Sequence, residues 1–197
     1  MPKSYWEYRG VSNAVYSEIM KDDADAYTTG TVKDFTGVSE IAKATDSATE
    51  AHYYDNIPAI IISSTGADTI TINASGIPLD VVAEVTGQYY ADGVLVEQER
   101  EQKYFAFGYK TKKTDGSDVY VWRLKGSFSV PDVDSATEDA GTDANGQEIV
   151  FTGISTAHKF TETGAGAKAV NLDTSVNESV SETTFFGAVQ TPDTLGN

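Results

Sequence analysis

The sequence predicts a mainly β protein: a β-sandwich or barrel with one short flanking α-helix and extended loops and arms. Three observations carry this. Along most of the chain, β-branched and aromatic residues alternate with polar ones at a period of two. Gly, Asn and Asp punctuate these stretches at turn positions. Only "SGIPLDVVAEVTG" (75–87) has the spacing and terminal residues of a helix.

Taken in order, "NAVYSEIM" (13–20), "VSEIAKAT" (38–45) and "ATEAHYY" (48–54) are strand candidates. "IPAIIISS" (57–64) is rich in β-branched residues and is expected to stop at Gly66. "DTITINA" (68–74) sets Ile70 and Ile72 against Thr69, Thr71 and Asn73, the alternation of a half-buried strand. In the helix, Pro78 occupies the first helical position, where its missing N–H costs nothing. Asp80 sits in the first turn, favourable to the helix dipole, and Gly87 is the left-handed stop. Leu79, Val82 and Ala83 share a face, so the helix is expected to cover an open end or edge of the strands.

"GVLVEQE" (93–99) leads into "KYFAFGYK" (103–110), which is expected to pair with "DVYVWRLKGSFSV" (118–130) as a long hairpin turning at Asp115-Gly116. Tyr120, Trp122, Leu124, Phe128 and Val130 fall on one face of the second strand, expected to be core. Val119, Val121, Arg123, Lys125, Ser127 and Ser129 fall on the other, which begins apolar and becomes basic and polar. "QEIVFTGIS" (147–155) follows an acidic, glycine-rich loop (131–146) expected to be exposed. From residue 161 the chain is polar apart from "FFGAV" (185–189). Residues 1–160 therefore read as a β-sandwich domain with an N-terminal arm. Residues 161–197 read as a C-terminal arm or extension that docks one short strand, on this subunit or a neighbouring one.

A chain of 197 residues is long enough for one well-buried domain. The absence of cysteine removes disulfides and thiol nucleophiles. With a start, "MPKSYWEYRG", that has no apolar run, it predicts folding in a cytoplasm. No stretch approaches the roughly 18 apolar residues of a membrane helix. The net charge of −16 argues against tight nucleic-acid binding through phosphates.

Against that acidity, seven of the fourteen Lys and Arg lie between Arg100 and Lys125, opposed there by only three carboxylates. Two readings follow. The lysines keep a strand face solvated and deter edge-to-edge pairing, or the basic face meets the acidic surface of another copy. On the second reading Lys110, Lys112 and Lys113 at the hairpin tip, with Arg123 and Lys125, are candidate subunit contacts. The "YYDN" turn with its flanking strands (48–64), including Tyr54 and Asp55, is another.

Chemistry-bearing patterns are sparse. His52 and His158 lie far apart, and neither sits in a metal-spaced cluster. Asp143, Asn145 and Gly146 match positions 3, 5 and 6 of a calcium loop, but Gly141 and Thr152 fall where its two strongest ligands belong. "KDDADAY" (21–27) has carboxylates without a glycine turn, and "GAGAK" (164–168) lacks the spacing of a phosphate loop. No catalytic residue, cofactor or metal site is assigned, and the chain is not expected to be an enzyme.

Several landmarks follow one another in a specific order. "GVSNAVYSEI" comes first, then "ATEAHYYDNIPAIIISS" and "TITINASGIPLDVVAEVTG". The hairpin "KYFAFGYKTKKTDGSDVYVWRLKGSFSVP" and "EIVFTGIS" close the series. Over roughly residues 8 to 160 this order resembles the major tail proteins, or tail tube proteins, of long-tailed bacteriophages, within them the phi13-type group. The resemblance implies a structural virion protein, assembled in the bacterial host cytoplasm, whose hexameric rings stack into a tube. The type VI secretion tube protein shares that architecture. It further implies loops and arms that reach the adjacent ring, and a tape-measure protein in the lumen. Tail-terminator or tail-tip proteins would be further partners, DNA a transient passenger during ejection, and no membrane is involved. An acidic lumen suits that passage, because DNA slides where no phosphate contact holds it. The alternative is a secreted or surface β-sandwich adhesion or binding module, which should show a secretion signal, a sorting motif or fuller calcium loops.

Overall fold

The computed structural model describes residues 5–135 and 145–195. Most of the acidic loop, with Asp143 of the calcium-like stretch, lies outside the described residues. The strands are β1 (Tyr8–Asp22), β2 (Tyr27–Thr29), β3 (Lys33–Asp34), β4 (Val38–Tyr54) and β5 (Ile57–Ala74). Helix α1 (Leu79–Thr86) leads to β6 (Tyr89–Ala91) and β7 (Val94–Val96), a separate small ribbon. Then come β8 (Phe105–Lys113), β9 (Asp118–Phe128), β10 (Asp132–Val133), β11 (Gln147–Gly153) and β12 (Ala169–Asp173), with α2 (Glu182–Gly187) and α3 (Pro192–Leu195) last. The fold is mainly β, as the sequence predicts.

One antiparallel sheet runs in the order β2-β1-β8-β9-β11-β5-β4. Its centre is β9, the most apolar strand. β8 pairs along one of its edges, while β12 and then β11 share the other. The sheet curls far enough that β4 comes back against β1 without pairing to it. A first core fills that curl, built from Tyr16, Phe35, Ile70, Ile72, Phe105, Phe107, Phe128 and Phe151. Phe107 and Phe128 meet edge to face with centroids 5.7 Å apart, a favoured aromatic geometry. Helix α1 closes this core with Val81, Val82 and Val85, while Leu79 stays exposed. Pro78 stands at the cap, one residue before the position expected for it, and Gly87 stops the helix with φ 69°.

β9 is buried on both faces, where the sequence predicts one core face and another that begins apolar and becomes basic and polar. The reason is a second core on the outer side of the sheet. It gathers Tyr120, Trp122 and Leu124 with Phe160, Leu172, Phe185, Phe186 and Val189. Residues 161–195 pack on the sheet of their own chain. β12 extends the sheet beside β9, and "FFGAV" contributes a helical turn rather than a strand. Ser181 caps α2 by accepting the Thr184 N–H, and the Trp122 indole N–H donates to the Phe185 carbonyl at 2.9 Å. Thus the island docks on its own chain.

The alternation along β9 also shifts phase. Phe105 pairs with Gly126 but Phe107 pairs with Arg123, so β9 has one residue more than β8 there. This bulge turns Phe128 into the first core, opposite Trp122 and Leu124, and leaves Val130 exposed. Gly126 is required beside it: a Cβ would run into the Phe151 ring and the Thr152 carbonyl. At the far end of the hairpin only Gly116 takes positive φ (93°), while Asp115 accepts the Ser117 N–H and holds the turn.

A candidate assembly surface

The stretches expected as two strands, 57–64 and 68–74, form one 18-residue strand, β5, which runs on through Gly66. Its partner β4 has 17 residues, and the two stay paired from Val38↔Ala74 to Tyr54↔Ile57. The sheet does not follow them. β11 covers β5 only from Asp68 to Ala74. Beyond a bulge where Thr45↔Asp68 gives way to Ser47↔Thr65, the hairpin continues as a bare two-stranded arm. From Ser47 to the tip it reaches about 30 Å at the usual rise of roughly 3.4 Å per residue. Asp55 and Asn56 close it with φ of 52° and 63°, the two left-handed residues of a tight two-residue turn. Tyr54 and Asp55, candidates from the sequence, stand at this tip and are exposed.

Within residues 46–66 every residue except His52 is exposed, and His52 is only partly covered. The arm is nonetheless apolar. Ile61 is 69% exposed opposite Ala51, on one face. Ile60 and Ile62 are exposed on the other face, opposite His52 and Glu50. Tyr53, Tyr54 and Ile57 add to the tip. The sequence carries a signal for this arrangement. Three consecutive isoleucines put apolar groups on both faces of a strand, which a strand on a single core does not need. Both backbone edges of the arm are unpaired among the described residues.

The basic window is mostly engaged within its own chain. Lys113 is 2% exposed; its ammonium bonds both Asp173 carboxylate oxygens at 2.7 and 2.8 Å and lies 4.8 Å from the Trp6 ring centre. Lys110 pairs with Glu182 at 2.8 Å, tying the hairpin to α2. Lys125 pairs with Asp22 at 2.5 Å, and Arg123 is buried near Asp68 at 3.5 Å. Of the tip lysines, Lys112 alone is exposed with no ion pair among the described residues. The excess of positive charge thus anchors β8 and β9 to acidic side chains of their own chain, a third explanation beside the two the sequence suggests.

These pairs shape the acid response. The hydrogen bond from Lys113, then that from Ser175, holds the Asp173 carboxyl down at about 2. Burial pushes Asp22 up, but hydrogen bonds from the Ala157 N–H, Lys125 and the His158 N–H outweigh it and leave it below the usual range. A carboxylate depressed on folding stabilises the native state above its unfolded pKa and loses that contribution as pH falls through its folded value. Unfolding free energy is therefore expected to decline between about pH 4 and pH 2. Asp173→Asn should flatten the decline in urea titrations at stepped pH; an unchanged slope would remove Asp173 as a source.

His158 donates its backbone N–H to Asp22, and His52 sits on the arm; they share no site. Among the described residues no three His, Asp or Glu side chains cluster as metal ligands, and no helix is long and apolar enough to cross a membrane. No protein-family model matches the chain, and no curated protein is significantly similar to it.

Proposed function

We propose that the protein is a self-assembling structural protein, and that its copies build the tail tube of a long-tailed bacteriophage. The arm is the observation that carries this reading. A two-stranded ribbon alone is marginal in water. An exposed strand edge is a template for another chain. An exposed apolar surface on both faces adds a third reason for the arm to be covered. The simplest cover is another copy. A contact of the arm with a different surface of the next copy joins unlike surfaces, and contacts of that kind close into rings or run on as stacks. The net charge of −16 suits a conduit from which DNA must slide free.

Negative-stain electron microscopy of the purified protein at rising concentration tests the proposal. Long tubes with a central channel are expected. A particle that stays monomeric at every concentration, and binds or cleaves a glycan, would sink it.

A further inference from the structure

We propose that the tip of one copy's arm docks into a cationic cleft at the base of the next copy's arm; this rests on the self-assembly reading. The cleft, about 420 Å³, lies at the open end of the first core between β1, β4, β8 and β9. Its walls are apolar, with Val11, Ile41, Tyr109 and Val121, and Lys43 and Arg123 line it too.

Its charge is unbalanced. Asp68, almost wholly buried, is the shared partner of Lys168 at 3.2 Å, Arg123 at 3.5 Å and Lys43 at 3.7 Å. Of these three cations, Lys43 and Arg123 line the cleft, and the carboxylate they share lies outside its lining. Among the described residues Arg123 is incompletely satisfied: its Nε is buried without a hydrogen-bond partner, and its Nη2 makes a long 3.3 Å bond to the Tyr109 hydroxyl. Positive charge beside apolar walls favours an incoming anion, since the surroundings screen it poorly.

The arm supplies the matching chemistry. From Ala44 to Glu99 the chain has no Lys or Arg, while the arm carries Asp46, Glu50 and Asp55. At the tip, exposed Asp55 belongs to the turn that follows the last pair of the ribbon, exposed Tyr54 and Ile57. An acid beside apolar groups fits a cleft with apolar walls and a cationic lining. A straight arm of about 30 Å keeps its tip away from its own base, so the contact passes from copy to copy.

The native chain has no cysteine, which makes directed crosslinking clean. Thr111→Cys, in the cleft lining, and Tyr54→Cys, at the tip, are made in separate proteins, mixed at tube-forming concentration and treated with a short bis-maleimide. A crosslinked dimer is expected in the mixture, several-fold stronger than with either variant alone. Adding Asp55→Asn to the Tyr54→Cys chain should lower the yield several-fold, while keeping a side chain that tolerates the turn's positive φ. If tubes form but Tyr54→Cys links to Lys112→Cys instead, or to neither, the docking site is wrong and the assembly reading stands. If the unsubstituted protein forms no assemblies, both fall.

Discussion

Replacing residues 46–67 by a two-residue Asn-Gly turn is expected to give a folded monomer that no longer assembles at any concentration at which the full chain does. Thr45 and Asp68 face each other in the native register, so a two-residue turn can join them without disturbing the pairs below. None of the removed side chains belongs to either core. Among the described residues, the hydrogen bond to the body that is lost is that of Lys168 to the Gly66 carbonyl, which is exposed. The thermal midpoint should therefore change little, while sedimentation velocity should show one small species. An excised chain that assembles as the full one does would remove the arm from the account.

Trp122→Ala is expected to have the largest effect on stability, about 3–5 kcal/mol. The side chain is fully buried at the centre of the second core, and its ring packs 6.0 Å from that of Phe186. Truncation leaves a cavity and also strands the Phe185 carbonyl that the indole N–H now satisfies. A loss of that size is a large share of the 5–15 kcal/mol typical of a native protein. Phe185 and Phe186 should loosen first, so near-ultraviolet circular dichroism should change more than far-ultraviolet. Urea unfolding gives the magnitude, and a loss below about 1 kcal/mol would mean that the second core does not hold the C-terminal segment to the sheet.

Much of this architecture was legible in the residues. The hairpin 103–130, the helix between Pro78 and Gly87 and the strand at 147–155 are local patterns, and local patterns survive into the fold. What was not legible depends on distant partners. The phase shift in β9 needs Phe151 lying over Gly126, and nothing within β9 announces a partner more than twenty residues away. The second core needs α2 to fold back on Trp122, so residues 161–195 looked polar and separate until their few apolar side chains found one place. The candidate surface was half visible. The Tyr54–Asp55 turn was singled out by its residues, but its exposure follows from where β11 stops, at Asp68. The pairs that Lys110, Lys113 and Lys125 make within the chain were hidden for the same reason: their partners Glu182, Asp173 and Asp22 lie 60 or more residues away in sequence.

Amide hydrogen exchange on the arm is the most direct test of the claim that another copy covers it. In dilute protein, amides of residues 57–65 that face the open edges should exchange almost at the rate of an unfolded chain. Amides of β9, buried at the centre of the sheet, should be protected throughout. At the concentration where assemblies form, the arm amides should become protected while those of β9 stay as they were. Arm exchange that remains fast in assembled protein would contradict the claim.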